Sequence, residues 1–182
     1  MKYYIMAAIM LSSMVASAQQ PFGKVYLQAA GLTCSMCSNS VQKALESLPA
    51  VSLVETDLKQ NLFVISLDGN KALTLDDLSR KVKEAGFTVG KLRLEVNFDN
   101  LQVDQDTHAR LGGHLFHFLK VKKQQLHGWQ TITLLDENFV LPKEFKKVKA
   151  LSTMACVQTG LMSGCCTAAE GQSGERVYHV TI

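Results

Sequence analysis

Proline is scarce: the 182 residues hold only Pro21, Pro49 and Pro142. None of these opens a strand at a suitable distance from the Cys-x-x-Cys pair at 34–37, and Thr33, not an aromatic, precedes the first cysteine. A thioredoxin-like redox frame is therefore not expected. Charge is modest at 19% with a net of +3, too little to steer the chain to nucleic acid or a membrane surface. Beyond the N-terminal stretch no segment approaches the ~20 apolar residues that a spanning helix needs. No acid/base pair, nucleophile triad or phosphate loop accompanies the thiols, so binding without catalysis is expected. What is present is an ordinary globular mix, 47% hydrophobic, of a length for one medium or two small domains.

The first eighteen residues read as a secretory leader. Met1-Lys2 is a short basic start, Ile5 to Leu11 an apolar core, and Ala16-Ser17-Ala18 a small-residue cleavage site before Gln19. No cysteine stands at that site, so a lipoprotein is not expected. The leader predicts a mature chain that is exported, periplasmic in a diderm bacterium or secreted, with no membrane span. An oxidising compartment permits disulfides, and five cysteines leave at least one unpaired or metal-bound.

Gly31-Leu32-Thr33-Cys34-Ser35-Met36-Cys37-Ser38 lies where a strand-like run (24–30) gives way to a helix-like run (39–48). The positive end of a helix lowers the pKa of a nearby thiol and favours the thiolate. Two thiolates are soft ligands and select Cu(I), Zn(II) or Hg(II) over Mg or Ca. With its flanks, Val41-Gln42-Lys43-Ala44-Leu45 and the later Ala85-Gly86-Phe87, the segment resembles the metal loop of heavy-metal-associated domains over about residues 24–94. That family includes copper chaperones, the soluble modules of copper-pumping ATPases and periplasmic mercury-binding proteins. The resemblance implies Cys34 and Cys37 as metal ligands, supported by Thr33 and by Phe87 packing under the loop. Leu32 replaces the family's usual Met, a packing group of similar volume. The implied mechanism is capture of Cu(I), with Hg(II) and Zn(II) as alternatives, and transfer to or from a partner protein by ligand exchange. A thiol-disulfide role for the pair is the remaining rival.

The first domain, residues 19–94, reads as strand, helix, strand, strand, helix, strand. Val25, Leu27 and Ala29 alternate as in a half-buried strand. Val41, Ala44, Leu45 and Leu48 share a helical face that Pro49 ends. Val51 to Thr56 and Leu62 to Leu67 are β-rich. Thr74 and Asp77 form a capping box for a helix with Leu75, Leu78, Val82 and Ala85 on one face and Gly86 as its stop. Phe87 to Leu94 closes the set. The fold class is α+β, a ferredoxin-like βαββαβ domain.

Residues 95–182 read as a β-rich second domain. Strands are expected at 96–98, 113–121, 129–135 and 176–182, a turn at Gln124–Gly128, and a short helix from Pro142 to Leu151. A small OB-like barrel is the first expectation and an irregular β-sandwich the second. His108, His114, His117, His127 and His179 are expected as water-exposed strand and turn residues. On a strand, His114 and His117 face opposite ways and cannot share an ion unless a bulge intervenes. The segment 154–166 holds Met154, Cys156, Met162, Cys165 and Cys166. These are candidates for a second soft-metal site, or for a disulfide from Cys156 to Cys165 or Cys166.

Overall fold

The structure, a computed structural model, describes residues 21–163 and 172–182. The leader at 1–18 and the pair Cys165 and Cys166 lie outside the described residues. The elements are β1 (Phe22–Ala30), α1 (Ser35–Glu46), β2 (Val51–Asp57), β3 (Leu62–Leu67), α2 (Leu75–Glu84), β4 (Thr88–Val103), β5 (His108–Leu111), β6 (His114–Phe118), β7 (Gln124–Leu134), α3 (Pro142–Val148), α4 (Ala155–Thr159) and β8 (Val177–Thr181).

The first half follows its sequence pattern. Val25, Leu27 and Ala29 of β1 are buried in alternation, and Val41, Leu45 and Leu48 face them from α1 and its end. The Thr74 hydroxyl accepts from the Asp77 amide at 3.2 Å while the Asp77 carboxylate accepts from the Thr74 amide at 3.0 Å. This reciprocal box satisfies two donors at the start of α2. Gly86 then takes φ +87°, the left-handed conformation that glycine adopts without a Cβ penalty. β1 pairs antiparallel with β3 and β4, giving the ferredoxin-like arrangement.

The second half differs from expectation. No separate OB-like barrel forms among the described residues; its strands extend the first sheet, in the order β2-β3-β1-β4-β7-β8-β6-β5. The cause is the length of β4. Its burial alternates through Leu92, Leu94, Val96 and Phe98 with no break, so the strand runs on past residue 94 and offers β7 a full antiparallel edge. Gln124 to Gly128, expected as a turn, belongs to β7. A register shift between Phe98 and Leu101 accommodates Gly128 at φ +68° inside the pairing. Two short elements were not expected, β5 and α4.

β6 and β8 are buried on both faces. Phe116, Phe118, Tyr178 and Val180 join the main core with the first-half residues. By strand alternation Leu115, Leu119 and Val177 point the other way, into a second apolar cluster with Val148, Cys156, Val157 and Met162. Arg176 ties the halves together. Its guanidinium donates to Asp76 of α2 at 2.9 Å and to the buried Asp136 at 3.1 Å, and stacks 4.4 Å over the Tyr178 ring.

Candidate metal centres

Gly31 leaves β1 at φ +88°, and Cys34 then caps α1, its sulfur accepting from the Cys37 amide at 3.3 Å. Capping turns both side chains to the same end of the helix. The two sulfurs lie 2.7 Å apart as free thiols. Cys34 is exposed and Cys37 half-buried. Hydrogen bonding from Cys34, then from the Thr33 backbone, lowers the Cys37 pKa below that of an ordinary thiol. Leu32 and Phe87 both pack on the main core beside the loop, and the Phe87 ring runs 3.9 Å from where a Gly31 Cβ would stand. Met36, between the cysteines, is 79% exposed. An exposed thiol pair on a stiff base can take up a two-coordinate ion and offer it to incoming ligands.

The tail cysteine has a different setting. Cys156 in α4 is fully buried. Its sulfur lies 3.6 Å from His117 Nδ1 and 3.9 Å from His108 Nε2, and the three potential ligand atoms fall within 4.8 Å of one another. Met154 and Met162 pack in the same apolar cluster. Cys165 and Cys166 lie outside the described residues, and with them the disulfide alternative.

The expectation of water-exposed histidines is overturned for three of the five. His108, His117 and His179 are buried: β6 and β8 are packed on both faces and leave His117 and His179 no wet side, and His108 on β5 lies against His117 and Cys156. His114 is half-buried, its ring stacked 5.9 Å from that of Phe22, and His127 is exposed. As expected, His114 and His117 do not converge. His117 instead meets residues of neighbouring strands: His108 is its register partner on β5, and His179 its partner on β8. The His108 and His117 rings stack at 4.1 Å, and His179 packs edge-on to His117 at 5.2 Å. His117 Nε2 faces the Asp106 carboxylate at 3.0 Å, from a turn where Asp106 takes φ +63°. Burial, then the neighbouring His108 and His179, lowers the His117 pKa from 6.5 to about 4, so the ring is neutral at pH 7. One sequence signal could have found the His108–His117 pair, though not the rest of the row. His108 and His117 lie at equal distance on either side of Gly112-Gly113, a dipeptide that closes two-residue hairpins and places equidistant residues opposite each other.

Comparison with known proteins bears on the first centre. Residues 27–88 match the family model of the heavy-metal-associated domain. Over 83 residues, 46% of this chain, the probable copper-transporting ATPase HMA5 of Arabidopsis thaliana is 29% identical, and the match spans 8% of that protein's length. The mercuric transport protein periplasmic component of Shigella flexneri is 29% identical over 83 residues, again 46% of this chain, and the match spans 90% of its length. Among solved structures, oxidized MerP from Ralstonia metallidurans is 28% identical, with 38% of this chain and 94% of that one covered and a TM-score of 0.35.

Proposed function

We propose, from the premise that residues 27–88 are a heavy-metal-associated domain, that this chain captures Cu(I) between Cys34 and Cys37 and hands it to a partner protein. The observation that carries the reading is the pair of free thiols side by side at an exposed loop, one with a lowered pKa. Two thiolates hold Cu(I) near-linearly and leave positions open, so a partner's sulfur can enter before either bond breaks. The leader-like residues 1–18 support placing this exchange outside the cytoplasm.

Hg(II) is the second reading, because two thiolates also suit it. One observation favours it: the mercuric component from Shigella flexneri matches across 90% of its own length. A competition titration of the reduced full chain, oxygen-free, with Cu(I), Zn(II) and Hg(II) tests both. The loss of one tight Cu(I) equivalent on going to Cys34→Ser/Cys37→Ser is expected. An unchanged number of Cu(I) equivalents in that variant overturns the proposal. Retention of Hg(II) but not Cu(I) against a competing thiol selects the mercury reading.

A further inference from the structure

The geometry points to a second, buried ion site in the other half of the sheet, in which His108 Nε2, His117 Nδ1 and Cys156 Sγ bind an ion of the copper–zinc class. We infer it from four independent features of the described residues.

The first is spacing. Bonds of about 2.3 Å to sulfur and about 2.0 Å to nitrogen, at tetrahedral to trigonal angles, set sulfur and nitrogen roughly 3.5 to 3.8 Å apart. The observed separations are 3.6 Å to His117 and 3.9 Å to His108. The sulfur-to-nitrogen spacing thus suits a bound ion, while the His108 and His117 rings, stacked at 4.1 Å and 14° from parallel, must turn about their side-chain torsions to bring both in-plane lone pairs onto it.

The second is orientation. The Asp106 carboxylate can only accept, so His117 presents its proton at Nε2 and its lone pair at Nδ1, toward Cys156. A carboxylate behind an imidazole, fixing its tautomer, is the recurrent backing of metal-bound histidine.

The third is an unpartnered ring nitrogen alongside. Asp136 takes the Nδ1 proton of His179 at 2.8 Å. That leaves His179 Nε2 buried with no hydrogen-bond partner, on the ring that abuts His117. A buried polar atom of this kind costs free energy unless something meets it.

The fourth is the donor set. One thiolate with two imidazoles suits copper and zinc, and not magnesium or calcium. A hydrolytic role for the Cys156–His117–Asp106 line is disfavoured because the sulfur and the His117 ring are both fully buried. An ion in this place would be held, not passed at the surface, in contrast to the pair at 34–37.

The test uses the full chain carrying Cys34→Ser/Cys37→Ser, so that its outcome is independent of the first centre. Under reduced, oxygen-free conditions it is titrated with Co(II), and Zn(II) and Cu(I) are then added as competitors. One equivalent of Co(II) with a sulfur-to-metal charge-transfer band is expected. The competitor that displaces it at lower concentration identifies the preferred ion. Cys156→Ser should abolish the band, and His108→Ala/His117→Ala should abolish tight binding. Asp106→Asn, a change at a half-exposed side chain, should keep the far-ultraviolet dichroism and lose 10- to 100-fold in affinity, roughly the effect of removing such backing. Absence of the band in the parent overturns the proposal. So does a band that survives Cys156→Ser but is lost in Cys165→Ser/Cys166→Ser, or unaltered affinity in the correctly folded Asp106→Asn.

Discussion

Cys37 owes its lowered pKa first to the sulfur of Cys34 and then to the Thr33 backbone. Its alkylation by iodoacetamide should therefore show a pH midpoint below that of a free thiol. Replacing Cys34 by Ala should raise that midpoint, and an unmoved midpoint would assign the effect to the backbone alone. Gly31 holds φ +88°, so Gly31→Ala should cost about 1 kcal/mol in urea unfolding, from left-handed strain and not from crowding. At Asp136, burial works against ionisation, but the His179 hydrogen bond and the charges of His179 and Arg176 hold the carboxyl below its usual range. A depressed folded pKa gives stability that is complete above the unfolded value, about pH 4, and is lost as pH falls through the folded one. Asp136→Asn should thus lower stability at pH 7 by about 3 kcal/mol. It should also flatten the acid limb of the stability curve below pH 4, as read from urea midpoints across pH.

At the scale of elements, local signals and structure agree wherever one residue pattern settles the matter. The Thr74 box is such a case, and Thr74→Ala should cost about 1 kcal/mol with α2 fraying at its start. The helix α3 likewise begins at Pro142 as its fixed φ dictates. That Cys34 and Cys37 stand side by side at the start of α1 was legible because their spacing and the strand-to-helix passage lie within eight residues. The histidine row was not, since His108, His117, His179 and Cys156 come together only through pairing of β5, β6 and β8 and the placement of α4. Periodicity along one strand correctly separated His114 from His117 but is blind to neighbours across the sheet. The extent of β7 was missed for a related reason. Gly128 reads as a breaker in sequence, while in the sheet it sits opposite Phe98 at an irregularity.

The whole molecule is organised around β4, whose sixteen residues serve both halves of one sheet. Trp129 of β7 lies across this junction: a Cβ on Gly23 of β1 would fall 2.9 Å from its ring. Cooperative unfolding should follow. Trp129 fluorescence and far-ultraviolet dichroism should trace one urea transition with a common midpoint, and two separated midpoints would show that the halves melt independently.

His108 stands on β5, a four-residue strand at the sheet margin whose only strand partner among the described residues is β6. Margins of this kind open at lower free energy than interior strands. Amide protons of β5 should exchange with solvent sooner than those of β8, which has strands on both sides. Traffic at the proposed enclosed centre would then be timed by the unzipping of this short flap, whereas an ion held as proposed by the surface thiols would exchange at the rate of encounter.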